Sequence, residues 1–200
     1  MKKAIYIICL FALTLNTKDT KAQLNDSYFN FYYSMGLGTG ELNDFISKYS
    51  WRGLGMEYKT EVTDNILAGF GADWNVFYED MPYGTFTKDN VSVSGKQFRY
   101  LNTYPMTAKL HYYRDSDNGV RFIAGTGIGT SYMDREVDLG QYRISNETWQ
   151  FLIVPEIAAT YDIDASRSLL LSLKYNYNFK NNDLPSMSYL SFNIGFAFNQ

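Results

Sequence analysis

Leu190-Ser191-Phe192-Asn193-Ile194-Gly195-Phe196-Ala197-Phe198 decides the fold of this chain. A β-strand sends successive side chains to opposite faces. Leu190, Phe192, Ile194, Phe196 and Phe198 therefore share one face, and Ser191, Asn193, Gly195 and Ala197 the other. In a soluble sheet the apolar face is the core and the opposite face meets water. Here the second face carries glycines, asparagines and, in earlier strands, charges of both signs. That is the layout of a transmembrane barrel, apolar toward lipid and polar toward a lumen.

The same alternation recurs at 28–38, 51–60, 66–78, 97–113, 120–132, 148–161 and 167–179, with no helix-period segment between them. With the C-terminal strand this predicts an all-β, eight-stranded antiparallel up-and-down transmembrane β-barrel. The connections sort by parity. Glu61–Asn65, Arg114–Gly119 and Asp162–Ser166 are short and rich in Asx, Ser or Gly, which suits tight turns. Thr39–Ser50, Glu79–Lys96, Ser131–Glu147 and Lys180–Ser186 are longer. Short turns at one end and long loops at the other are the habit of membrane barrels. Pro105 falls inside the fourth strand, where it removes a ladder donor, and reads as a bulge or register device.

The 200 residues suffice for a single barrel. A mean hydropathy of −0.29 does not oppose this, because only every second residue of a barrel strand meets lipid. Residues 1–22 read as a signal peptide: Lys2 and Lys3, an apolar run from Ala4 to Leu15, then small residues at Thr20 and Ala22. The apolar run is short of the ~20 residues of a spanning helix. Cleavage there leaves a barrel domain over 23–200. It also removes the one cysteine, Cys9, and with it any disulfide or thiolate metal site. Four lysines and one aspartate leave with it, taking the net charge from −3 to −6. No basic patch points to nucleic acid.

Outward aromatics fall into two groups. Phe29, Tyr58, Tyr112, Tyr161 and Phe198 lie at the short-turn ends of their strands. Trp74, Tyr78, Phe98, Tyr100, Tyr132, Trp149 and Tyr177 lie toward the long-loop ends. Two such groups match the aromatic girdles of the two bilayer interfaces.

With its signal peptide and its closing Phe192-x-Ile194-x-Phe196-x-Phe198, the mature chain resembles the small eight-stranded outer-membrane barrels of Gram-negative bacteria. Tyr100-Leu101-x-x-Tyr104-Pro105-Met106, then Lys109 and Gly125-x-Gly127-x-Gly129, resembles the porin-like "outer membrane protein beta-barrel" families. The resemblance implies an outer-membrane location, and a terminal strand read by the outer-membrane assembly machinery. Asn199 and Gln200 follow the last aromatic, where many members end on it.

The expected lumen charge network is Glu57, Lys59, Asp73, Arg99, Lys109, His111, Arg121, Glu156 and Lys174, five positive against three negative with histidine neutral. Eight strands leave an interior just wide enough for side chains to fill. The network reads as a plug of ion pairs, with Glu156–Lys174 the expected pair; the alternative is a narrow anion-tolerant path. His111, the single histidine, has no nearby serine and reads as a hydrogen-bonded interior residue rather than a catalytic base. Gly125-x-Gly127-x-Gly129 lies within a strand and lacks the helix a dinucleotide motif needs. Its glycines read as room for Arg99 or Lys109 to lie across the lumen. The carboxylates of the long loops show no calcium-loop spacing and read as solvated charge, with divalent-cation binding the other reading. Tyr83, Phe86 and Tyr142 are candidates for contact with a protein partner.

The expected function is a structural, surface-interaction or accessory role in the outer membrane, with no enzymatic activity, cofactor or metal. The alternatives are a narrow channel or a lateral-opening transporter for small or apolar solutes, and a soluble periplasmic ligand-binding barrel.

Overall fold

The computed structural model describes residues 26–88, 91–116, 118–140 and 142–199, with side chains given for all of these except 86–88 and 91–93. The expected signal peptide and Cys9 lie outside the described residues. Eight strands follow one another: β1 (Ser27–Thr39), β2 (Arg52–Thr63), β3 (Ile66–Lys88), β4 (Val91–Asp115), β5 (Val120–Leu139), β6 (Tyr142–Asp164), β7 (Arg167–Asn178) and β8 (Ser188–Asn199). A single-turn helix, α1 (Glu41–Phe45), stands between β1 and β2. Each strand pairs antiparallel with its neighbours. β8 closes on β1 from Tyr28↔Asn199 to Thr39↔Ser188, so the sheet is a closed barrel with no free edge along this seam.

The face assignment from alternation holds strand by strand. In β1, Phe31 is 46% exposed while its neighbours Asn30 and Tyr32 are 2% and 1% exposed. Phe70, Leu110, Phe122, Ile128, Ile157, Leu173 and Phe196 lie on the apolar outer wall.

The loop expectation needs correction. Most of Glu79–Lys96 and Ser131–Glu147 is strand. β3 and β4 stay paired from Glu79↔Arg99 to Lys88↔Val91, and β5 and β6 from Asp134↔Glu147 to Leu139↔Tyr142. These segments carry more polar residues than the wall, but they still alternate, and backbone pairing needs no apolar outer face. The genuine loops are 40–51 and 179–187. At the other end the turns are tight, with Asn65 at φ 68° and Gly119 at φ 72°. Both are left-handed conformations, which Asn and Gly tolerate.

Pro105 is not a bulge. Pairing with β3 lapses between Ala72↔Met106 and Asn75↔Thr103, yet the register is the same on both sides, and Pro105 still opposes Ser131 of β5. The register of β3–β4 shifts instead between Met81 and Gly84, next to Pro82.

The interior is layered. Near the short turns Tyr32, Leu67, Tyr113, Ile123, Ala158 and Leu170 form an apolar cluster. At the other end Leu42, Phe45, Ile46, Phe77, Leu101, Met133, Leu184, Met187 and Tyr189 form a second. Between them lie buried polar and charged groups. The upper cluster is built by the two loops. Gly40 at φ 54° turns the chain into α1, whose Leu42 and Phe45 share the inward face by their i, i+3 spacing; Ile46, extended just past the helix end, is buried with them. Loop 179–187 is held down by Asn181, which bonds Thr148 Oγ1 at 2.7 Å and the Trp149 carbonyl at 2.9 Å. Gln150 Nε2 donates to the Pro185 carbonyl at 2.7 Å.

Candidate functional site

The polar layer is an ion cluster centred on Glu57. Lysine stems carry their ammonium groups away from their own strands, so charged groups from five strands, β2, β3, β4, β6 and β7, meet polar groups of β1. Lys174 of β7 donates to Glu57 Oε1 at 2.7 Å and Asp73 Oδ1 at 3.3 Å. Lys109 of β4 bridges Glu57 and Glu156, at 2.8 Å from Glu156 Oε2. Lys59 Nζ lies 2.7 Å from Glu57 Oε2, at an angle that makes an ion pair without a hydrogen bond. His111 Nε2 sits 3.1 Å from Glu156 Oε2. Asn30 Nδ2 donates to Glu57 at 3.4 Å.

Three lysines thus face three carboxylates. The positive excess expected from the sequence is absent from this cluster, because both arginines lie elsewhere. Arg99 is at the long-loop mouth, bonded to the Phe45 carbonyl at 2.8 Å and to Gln97. Arg121 is at the short-turn mouth, paired with Asp115 and packed over the rings of Tyr28 and Tyr113. The expected Glu156–Lys174 pair does not form either. The two are register partners on β6 and β7, but Lys174 reaches across the lumen to Glu57 and Asp73 while Glu156 takes Lys109 and His111.

Tyr32 is the member that the sequence reading missed. Its hydroxyl lies 2.7 Å from Asp73 Oδ1 and 3.1 Å from Glu57 Oε1, and it accepts a hydrogen bond from Lys174. Its position between outward Phe31 and Tyr33 was the available signal: strict alternation sends it inward. Its seat is glycine on both sides, since Tyr32 opposes Gly55 of β2 and Gly195 of β8. A Cβ on Gly55 would lie 2.2 Å from the Tyr32 ring. The glycines of β5 act similarly for Lys109 and His111, which oppose Gly127 and Gly125; Arg99 does not use them. A Cβ on Gly127 would stand 3.2 Å from Lys109 Cγ and from Thr107 Cβ, contacts that a shift of a few tenths of an ångström relieves. Gly55→Ala is therefore expected to cost ~1–3 kcal/mol by overpacking, and Gly127→Ala clearly less. Urea unfolding of the two variants in lipid vesicles checks this, and equal losses would contradict the Tyr32 seat.

His111 is buried against Glu156, and among the described residues no hydroxyl is bonded to it. Among the described residues no group of three or more His, Cys, Asp and Glu side chains is placed to hold a metal ion.

The outward aromatics mark a boundary. Trp74, Tyr104, Tyr132 and Trp149 run side by side across β3–β6, with centroids 6.4, 6.0 and 5.2 Å apart. Tyr177 packs on Phe179, which packs on Phe151, and Tyr78 on Tyr100. Beyond Tyr132 the same alternating face of β5 carries Asp134, Glu136 and Asp138, with Arg143 of β6 bonded to Asp138 at 2.7 Å. At the short-turn end Tyr58, Tyr112, Tyr161 and Phe198 are exposed on the outer wall. Tyr104 to Tyr112 covers nine residues, the length a tilted strand needs to cross the hydrocarbon layer.

No family model and no curated protein matches the chain. Solved structures do. The outer membrane protein OprG from Pseudomonas aeruginosa is similar with a TM-score of 0.56 at 12% identity, over 88% of this chain and 96% of that one. Ail, the attachment invasion locus protein of Yersinia pestis, gives 0.55 at 10% identity, over 88% and 99%. A major outer membrane protein from Thermus thermophilus gives the same score, identity and coverage. At such identities the likeness is one of fold, and it agrees with what the apolar wall and the closed eight-strand meander require. The chain has the fold of the small eight-stranded outer-membrane β-barrels, and crosses that membrane with its strands.

Proposed function

We propose that this barrel is closed to solutes and works as a non-enzymatic surface-interaction protein, exported by residues 1–22 and assembled through β8. The observation that supports closure is the filling of the lumen at successive levels. The balanced cluster of Glu57, Asp73, Glu156, Lys59, Lys109 and Lys174 spans the middle, and α1 with loop 179–187 fills the long-loop mouth with apolar side chains. Buried ions are held there because leaving any one unpaired is costly.

The surface role rests on β3–β6, which continue past the aromatic row as a four-stranded sheet outside the apolar wall. Tyr83 and Tyr142 are exposed on it, while the side chain of Phe86 lies outside the described residues. Partners are expected there, with lipid around the wall.

Planar-bilayer recording tests closure: the wild-type protein is expected to give no large, steady conductance. A steady current unaffected by substitutions at Glu57 or Lys109 overturns the closed reading in favour of a channel. Fractionation tests location. The mature chain is expected to need detergent for release and to run faster unheated than heated on a denaturing gel; recovery in the aqueous periplasmic fraction contradicts it.

A further inference from the structure

Arg99 and Arg135 share the ring of Phe45 at the long-loop mouth, their guanidinium carbons 5.4 and 4.0 Å from its centroid. Arg121, Arg143 and Arg167 each find an aspartate. These two do not. Among the described residues Arg99 bonds only neutral oxygens, those of Phe45 and Gln97. Arg135 makes no hydrogen bond or ion pair among the described residues, and its Nε is buried without a hydrogen-bond partner. Burial, and then the charge of Arg99, pull the Arg135 pKa below the ordinary arginine value, with no carboxylate opposing them. A half-buried cation left in this state is unfavourable unless something compensates it.

The space in front of the pair is a cavity of about 290 Å³, lined by Phe45, Gln97, Arg99, Arg135, Val137 and Met187 among others. Glu41 and Asp44 of α1 also line it, both exposed and neither within 4.0 Å of either guanidinium. A guanidinium presents a planar fork of donors that matches carboxylate and phosphate oxygens. The aromatic ring below holds both forks in place by cation–π contact. We propose that this pocket binds a small soluble anion carrying phosphate or carboxylate groups, gripped by Arg135 and Arg99 over Phe45. The ligand comes from the external medium rather than from the surrounding leaflet. Both arginines belong to the inward-facing sets of β4 and β5, whereas lipid phosphates face the outer wall. The proposal stands apart from whether the lumen conducts.

The test is calorimetric titration of the full chain, refolded in neutral detergent, with sodium pyrophosphate and with citrate, and with glucose as the uncharged control. Saturable one-to-one binding of at least one anion is expected, and none of glucose. Arg135→Gln and Arg99→Gln should each weaken it at least tenfold, and Arg135→Lys should retain part of it. The double variant Glu41→Gln, Asp44→Asn should bind more tightly, because it removes two repelling carboxylates. Heat-dependent gel mobility establishes that each variant is folded.

Wild-type protein that binds neither anion overturns the proposal. If the double variant alone then binds, Glu41 and Asp44 are the internal counter-ions of the pair. Unchanged affinity in folded Arg135→Gln also overturns it. Repeating the titration in neutral vesicles and in vesicles containing anionic phosphatidylglycerol separates the sources. Loss of binding only with the anionic lipid means that the leaflet supplies the ligand, which contradicts the external source.

Discussion

Glu57→Gln is expected to destabilise the folded barrel by ~3–5 kcal/mol, the usual cost of breaking a buried ion pair from one side. The upper end of that range applies because Glu57 is the hub. It meets Lys59, Lys109 and Lys174, and all four side chains are 1% exposed. Glutamine keeps the shape but offers one acceptor oxygen where Asn30 and Tyr32 donate to two, and it leaves three ammonium groups against Asp73 and Glu156. Glu156→Ala should cost less, since Lys109 retains Glu57; the groups it deprives are Lys109 and His111, not the Lys174 that the sequence suggested. Urea titration of the protein in lipid vesicles reads both. A loss below ~1 kcal/mol for Glu57→Gln would show that water reaches the cluster and screens it. Adding Lys109→Met to Glu57→Gln is expected to recover part of the loss, because it removes the charge left over.

Leu171→Arg is expected to cost ~2–4 kcal/mol in a bilayer, the penalty for a cation on the lipid face near the middle of a barrel strand. Leu171 lies on the outer wall at 39% exposure, opposite Ala159 of β6 and Ile194 of β8. Both of those partners are apolar. Ser172→Arg, one residue on, points inward, where Ser172 is 3% exposed and accepts a hydrogen bond from Asn193 at 2.9 Å. Its loss arises from overpacking the lumen. The two are separated by the solvent around the barrel. The Leu171→Arg loss should shrink when vesicles are replaced by short-chain detergent micelles, and the Ser172→Arg loss should not. The same dependence for both would mean that the register of β7 is misassigned.

The number of strands, the face each side chain takes and the end that holds the tight turns were all legible in the sequence, for a local reason. Side-chain direction repeats every two residues, and the bilayer enforces that repeat on the outer wall from Phe29 to Phe198. Asn65 and Gly119 mark turns because few residue types accept their backbone angles. Parity also put Glu57, Lys59, Lys109, His111, Glu156 and Lys174 inside. It did not say which charges meet. Glu57 and Lys174 are 117 residues apart in sequence and come together only when β8 closes on β1. Nor does parity distinguish heights along the barrel, so Arg99 and Arg121 read as members of one network although they stand at opposite mouths. The apolar cap was invisible for a related reason. Leu42, Phe45 and Ile46 have a place to bury themselves only once Phe77, Leu101 and Met133 from three other strands form a rim around them. Local periodicity is set by the chain's own backbone; partner choice and loop burial are set by distances across a closed ring, which exist only after the ring has closed.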